Sequence, residues 1–315
     1  MNDNDDIRFL SEITHLYYED QLTQAEIAKK LFISRSLVSK LLQKARKMGM
    51  VEIIIHDEDI NPYRSTEHML KDLYGLEDVV CIGTTDPSQI KEKLGSAGAK
   101  YLARRLPRCK KIAIASSTTV YETAISFSYP QLSSVTFVPL SGGLDNTDQY
   151  IQANHICSIF ARSCGGNFLQ LHVPIIINSL EAKRILEQEP FIANVLEEAR
   201  NADLALVGIG NSPKVFQLLN KYYFERNSDL NSLKKKLNGD ISFNYYDKNG
   251  KEIDCDWNRH VISLNIDEIK KIPTVVGIAG GPDKLQCIYT AVSHKMIDVL
   301  ITDINTAQAL LSMKK

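Results

Sequence analysis

Between Lys29 and Lys47 the chain carries seven basic residues, Lys29, Lys30, Arg35, Lys40, Lys44, Arg46 and Lys47, and no acidic one. The flanking segments 1–26 and 52–59 are rich in Asp and Glu. Over the whole chain, 37 Lys and Arg against 38 Asp and Glu leave a formal charge of −1, so the basic run is local and global charge says nothing about partners. A run of like charge is ordinarily a solvated face, and spacing has to decide. Arg35, Ser36, Ser39 and Lys40 can donate or accept at base edges, and arginine can grip a guanine edge with two hydrogen bonds. Lys29, Lys30, Lys44, Arg46 and Lys47 suit phosphates, which add affinity without reading sequence. Thr23, Gln24 and Ser34, polar residues at two expected helix starts, complete the candidate DNA-binding set.

A second group lies further on. Four expected strand ends carry small polar or glycine loops: Ser116-Ser117-Thr118-Thr119, Ser141-Gly142-Gly143, Gly208-Ile209-Gly210-Asn211 and Ala279-Gly280-Gly281. In an open parallel sheet, ligands bind at the carboxyl ends of the strands. Ser117, Thr118 and Thr119 precede or open a helix, where free N–H groups and the positive dipole end favour an anion. Any one such loop is an ordinary strand-to-helix turn; four at equivalent ends favour a pocket. Lys284 can meet a phosphate or carbohydrate oxygen and Asp240 can accept sugar hydroxyls, although on its own either reads more readily as a surface charge.

The elements that must position these residues follow from periodicity. Ile7, Leu10, Ile13, Leu16 and Tyr17 form one helical stripe, Ile27, Ala28 and Leu31 a second, and Leu37, Val38, Leu41, Leu42 and Ala45 a third. Thr23 and Glu26 match a capping box, Ser34 is a good cap, and Gly49 a helix stop. A short capped helix, a three-residue turn and a second capped helix form a helix-turn-helix, which lays the start of its second helix in the major groove. A strand at Val51–Ile55 and a polar linker over 56–66 follow. Seven strands are then expected (Val79–Ile82, Lys111–Ala115, Val135–Leu140, Phe168–His172, Leu204–Ile209, Thr274–Ile278, Val299–Thr302), alternating with helices. That alternation argues for a doubly wound, mainly parallel α/β sheet behind an all-α N-terminal domain. Ile241–Ile266, with a turn at Asp247–Gly250, reads as antiparallel β. The expected domains are 1–56, DNA-binding, and 57–315, effector-binding and oligomerising.

Composition sets the outer bounds. At 44% hydrophobic and 24% charged residues the chain is no mostly disordered one. No apolar run reaches the ~18 residues that would span a bilayer. The acidic start MNDNDDIRF lacks the order of a signal peptide, so the expected location is the cytoplasm. Six cysteines without CxxC spacing or a Cys/His cluster are expected to be buried free thiols, with no metal and no cofactor.

The segment LYYEDQLTQAEIAKKLFISRSLVSKLLQKARKMGMVEI (16–53) resembles the N-terminal domain of SorC-type bacterial transcriptional regulators, which are sugar-binding and similar to the deoxyribonucleoside regulator. The match runs through Leu16, Tyr17, Tyr18, Thr23, Gln24, Ile27, Ala28, Ile33, Ser34, Arg35, Val38, Ser39, Leu41 and Leu42. It departs at Phe32, where glycine is usual, and at Lys40, a point charge where that family usually has a two-pronged arginine. The resemblance continues through ADLALVGIG (202–210), GDI (239–241), AGGPDK (279–284) and VLITDINTAQALL (299–311), and so covers essentially the whole chain. It implies a ligand domain similar in fold to sugar-phosphate isomerases and glucosamine-6-phosphate deaminases. It also implies that Lys284 and Asp240 line the pocket, that the effector is a phosphorylated sugar or related metabolite, and that the regulator is a dimer or tetramer.

The alternative is a sugar-phosphate isomerase or deaminase-type enzyme with a DNA-binding appendage. Deaminases of the related fold carry an Asp and a His in the run after the strand equivalent to Leu204–Ile209. This chain reads Gly208-Ile-Gly-Asn-Ser-Pro-Lys-Val-Phe there, with neither. Imine chemistry would want a buried pocket lysine. Ser141 offers no amine, and Lys284 is more simply an anion contact. No catalytic residue is therefore expected.

Overall fold

The structure is a computed structural model that describes residues 3–51, 61–83, 86–129, 134–143, 150–210, 233 and 235–313. Two compact units divide at residue 60, Met1–Ile60 and Asn61–Lys315. Apart from Val51, the expected strand at Val51–Ile55 lies outside the described residues.

The described residues of the first unit form three helices: α1 (Asp3–Tyr18), α2 (Gln24–Lys30) and α3 (Arg35–Lys47). Ile13, Leu16, Ile27, Ala28, Val38 and Leu42 form its core, drawn from the three expected stripes. The capping box closes in both directions: Glu26 Oε2 accepts from the Thr23 amide at 2.8 Å, and the Glu26 amide donates to Thr23 Oγ1 at 3.3 Å. Ser34 Oγ caps α3 by accepting from the Leu37 amide at 3.2 Å. Gly49, at φ +72°, ends it, and the Met50 amide returns to the Ala45 carbonyl at 3.0 Å. Phe32 in the intervening turn is left-handed, at φ +54°, and 96% exposed. A side chain on a left-handed backbone costs on the order of 1 kcal/mol.

The second unit is a seven-stranded parallel sheet: β1 (Asp78–Ile82), β2 (Lys111–Ile114), β3 (Thr136–Pro139), β4 (Asn167–Phe168), β5 (Leu204–Gly208), β8 (Val275–Ile278) and β9 (Val299–Asp303). β6 (Gly239–Ile241) and β7 (Asn244–Tyr246) form a separate antiparallel hairpin. The sheet order is β1-β9-β8-β5-β2-β3-β4. The central strands are buried on both faces, which is why they read as near-continuous apolar runs. One face is covered by α5 (Ile90–Arg105), α6 (Thr118–Ser126) and α7 (Ala153–Cys164). The other is covered by α4 (Arg64–Tyr74) and by later helices at Pro190–Arg200, Leu285–Ser293 and Ile304–Met313. From β2 the chain winds outward through β3 to β4; it then returns to place β5 on the other side of β2. The reversal makes the loops after β2 and β5 the switch point of the sheet, where open α/β folds leave a crevice.

Three expectations need correction. Residues 56–66 are not linker throughout, because α4 begins at Arg64 and buries Leu70 and Tyr74 against the sheet. β4 stops after two residues, because the Leu171 amide donates to Asn154 Oδ1 at 2.9 Å rather than to a strand. Ile241–Ile266 is only partly antiparallel. Ser242 and Phe243 turn the β6–β7 hairpin with φ of +49° and +66°, the Asp247–Gly250 turn does form, and short helices at Asp256–His260 and Ile266–Ile269 interrupt the rest. All six cysteines are free thiols. Among the described residues no helix is long and apolar enough to cross a membrane.

Candidate functional site

Ser34 fixes the start of α3, so Arg35 and Ser36 stand in its first turn. Arg35 and Ser39, and Ser36 and Lys40, are each four residues apart and share a helix face. Arg35, Ser36 and Lys40 are exposed and Ser39 is half-buried, while Val38, Leu42 and Ala45 turn into the core. Thr23 is spent on capping α2, and Gln24 beside it is half-buried. Lys44 is exposed in the last turn of α3. Arg46 is held: its Nε donates to Tyr18 Oη at 2.7 Å and its guanidinium lies 5.8 Å from the Tyr18 ring centre. Tyr18 was not a candidate from the sequence, because a partner 28 residues away leaves no local period.

At the sheet's switch point, Ser117 caps α6, its Oγ accepting from the Thr119 amide at 3.2 Å and the Val120 amide at 3.5 Å. Those two amides of the helix start are thus already engaged. Thr118 is half-buried and Thr119 is only 1% exposed. Ser117 also packs on the α-carbon of Gly208, leaving no room for a β-carbon. Gly210 and Asp240 pair as an antiparallel bridge, which brings the hairpin to the end of β5. Asp240 is 8% exposed, and among the described residues its Oδ1 has no hydrogen-bond partner. Burial pushes its carboxyl up to about 6, against the opposing pull of Lys284 and of the Phe243 amide. The turn that carries Lys284 lies beside the hairpin: Tyr246 Oη donates to the Cys287 carbonyl at 3.0 Å, and Cys287 Sγ to the Lys284 carbonyl at 3.0 Å.

The remaining loop is built differently. Ser141 is buried, its Oγ 3.4 Å from Ser116 Oγ, and it bridges to Ser263. The Gly142 amide donates to the Ile262 carbonyl at 2.9 Å and the Gly143 amide to the Val173 carbonyl at 2.8 Å. Their backbone donors therefore hold the loop in place. Ser263 Oγ, which the sequence reading missed, donates to the Ser242 carbonyl at 2.9 Å and so ties this loop to the Asp240 hairpin. Asp303, also missed as a site residue, is buried and accepts from the Gly281 amide at 2.7 Å, the Thr306 amide at 3.0 Å and the Thr306 hydroxyl at 2.6 Å. It fixes the turn from which Lys284 projects, since the Lys284 amide donates to the Gly281 carbonyl at 3.0 Å. The structure thus brings together Ser117, Gly208, Gly210, Asp240 and Lys284, with Ser141–Gly143 joined through Ser116 and Ser263.

A cleft of about 690 Å³ is lined by residues including Lys183, Glu187, Arg200, Glu252 and Glu268; it shares Ser263 with the site but contains none of the residues the sequence singled out. Arg200 pairs there with Glu268 at 2.8 Å and Lys183 with Glu187 at 3.7 Å, and Glu252 accepts from the Ile266 amide at 3.2 Å. Among the described residues no cluster of three or more His, Cys, Asp or Glu side chains can hold a metal. Burial raises the Cys287 thiol, beside the hairpin, to about 11, and a protonated thiol is a poor nucleophile.

The Sugar-bind family model of a sugar-binding domain matches residues 58–312, and a MarR family model matches 13–59. The Sorbitol operon regulator of Klebsiella pneumoniae is 30% identical over 322 residues, covering 99% of this chain and 100% of that protein. The Deoxyribonucleoside regulator of Bacillus subtilis is 29% identical over 305 residues, 96% of each. The crystal structure of the full-length Sorbitol Operon Regulator SorC from Klebsiella pneumoniae aligns with a TM-score of 0.73 at 27% identity, covering 99% of each chain. The chain belongs to the SorC family of sugar-binding transcriptional regulators.

Proposed function

We propose that this regulator binds a duplex operator through α2 and α3, and that a phosphorylated sugar held at the sheet's switch point sets its operator affinity. The single observation that carries the reading is the buried Asp240 carboxylate, one oxygen without a partner among the described residues, beside Gly210 and within electrostatic reach of Lys284. A buried acceptor of this kind awaits a donor, because leaving it unpaired is expensive. A sugar hydroxyl supplies that donor. Lys284 then meets the phosphate, with Ser117, Thr118 and the first-turn amides of α6 as further donors once Ser117 yields them. Ser141, Gly142 and Gly143 form the wall on the β3 side. The regulator works in the cytoplasm as a dimer or tetramer, because one helix-turn-helix reads too few base pairs and paired half-sites mirror protein symmetry.

Catalysis is not part of the reading. The run after β5 carries neither the Asp nor the His of a ring-opening deaminase, and Lys284 serves as an anion contact. A thermal-shift screen of phosphorylated sugars against their free counterparts, run with turnover detection, tests both points. A ligand binding only the native state at 100 times its Kd stabilises it by about 2.7 kcal/mol. A larger shift with free sugars removes the phosphate, and turnover of any hit restores the enzyme.

A further inference from the structure

Phe32 has the highest exposure of any large apolar side chain described, 96%, and it sits on a left-handed backbone at φ +54°. Its neighbours Leu31 and Ile33 pack against the core of the N-terminal unit, whereas Phe32 does not. A turn residue that must be left-handed and fully solvated is best served by glycine or asparagine. Phenylalanine is unfavourable on both counts, and among the described residues of the unit no contact offsets it. Strain of this kind persists where function demands the residue.

Its position supplies the function. Phe32 lies two residues after Lys30 and three before Arg35, inside the 29–47 stretch that holds seven positive charges and no negative one. An apolar protein surface would have to desolvate those cations, whereas a polyanion with exposed carbon edges satisfies the cations and the ring together. In a helix-turn-helix the start of the second helix enters the major groove, so the residues just before it stand at the groove's mouth. Phenylalanine makes apolar contact with the thymine methyl exposed there.

We propose that Phe32 is a DNA-contact residue whose ring rests on the apolar edge of the duplex, a thymine methyl or a deoxyribose, beside the bases read from Arg35. The proposal rests on the DNA-binding reading of α2 and α3. It predicts opposite signs for two properties: replacing the ring steadies the protein and weakens its grip on DNA.

The test uses the full chain and a duplex enriched by the wild type from a randomised pool. Binding of wild type, Phe32→Gly and Phe32→Leu is followed by fluorescence anisotropy over a salt series, on that duplex and on copies with single thymines replaced by deoxyuracil. The expected result is a fivefold to tenfold loss for Phe32→Gly, roughly the loss of one apolar contact, with Phe32→Leu intermediate and the salt slope unchanged. A deoxyuracil position that weakens the wild type but not Phe32→Gly assigns the thymine methyl. Loss for Phe32→Gly with no deoxyuracil effect assigns the deoxyribose. Equal affinity of wild type and Phe32→Gly overturns the proposal and leaves DNA binding intact. A wild type that enriches no duplex overturns both.

Discussion

Gly210 and Asp240 are locked face to face. The Gly210 amide donates to the Asp240 carbonyl at 2.9 Å, the Asp240 amide donates to the Gly210 carbonyl at 3.3 Å, and the Asp240 carboxylate packs where a β-carbon on Gly210 would stand. The end of β5 and the β6–β7 hairpin are therefore joined by a contact that only glycine permits. Gly210→Ala is expected to push the carboxylate aside and weaken effector binding at least tenfold, at a stability loss of about 1–3 kcal/mol for overpacking. Calorimetric titration with the sugar found by thermal shift, alongside a melt, checks both numbers. Unchanged affinity would remove the contact from the site.

The pH dependence of stability gives a second check. Asp240 titrates near 6 in the folded chain and near 3.9 unfolded, so between those values the folded state holds more protons. Stability from this group therefore falls as pH rises from about 4 to 6, and above that the penalty stays constant at about 3 kcal/mol. Asp240→Asn is expected to be the more stable protein at pH 7.5 and to lose that advantage toward pH 4. Urea denaturation of both proteins across this range measures the difference. An advantage independent of pH would contradict the burial of an ionised Asp240.

Phe32→Gly is expected to stabilise the protein by up to about 1 kcal/mol, since relief of the left-handed side chain outweighs the freedom that glycine adds to the unfolded chain. The ring is exposed, so its removal opens no cavity. Thermal melts of the full chain decide the sign. A clear loss of stability would show that the ring packs on something in solution.

Much of this was legible in the sequence, and the misses have physical causes. All seven sheet strands were placed within a residue or two, except for the end of β4, because strands buried on both faces leave unbroken apolar runs. Thr23, Glu26 and Ser34 announced their caps because capping is local chemistry between residues two or three apart. The β6–β7 hairpin was mislocated because Ser242 and Phe243 take the left-handed turn that Asn-Gly would have advertised. Asp303 and Ser263 were missed as site residues because their hydrogen bonds cross between strand ends, 22 residues apart in the Asp303–Gly281 case and 21 in the Ser263–Ser242 case. The helix start at Thr118 and Thr119 was legible, but the burial of Thr119 was not, because it depends on elements distant in sequence.

On the DNA side, Arg35 and Lys44 are expected to fail differently. Arg35→Ala should cost about 1–3 kcal/mol and relax specificity at one base pair. Lys44→Ala should weaken all duplexes alike and reduce the salt slope by about one. Anisotropy on the selected duplex and on single-base variants, at several salt concentrations, separates the two. Identical behaviour of the two variants would mean that α3 is set in a different register.

Effector control requires unequal affinity for two conformations, because a ligand that binds both equally shifts nothing. Lys284 sits where that difference can be made, its turn fixed by Asp303 and its charge acting on Asp240. The most direct measurement is the effector titration of operator binding for wild type and Lys284→Ala. The expected result is a normal operator affinity without effector in both, and an effector response only in the wild type. Identical midpoints in the two proteins would remove Lys284 from the site, and a stronger wild-type response to the unphosphorylated sugar would contradict the phosphate assignment.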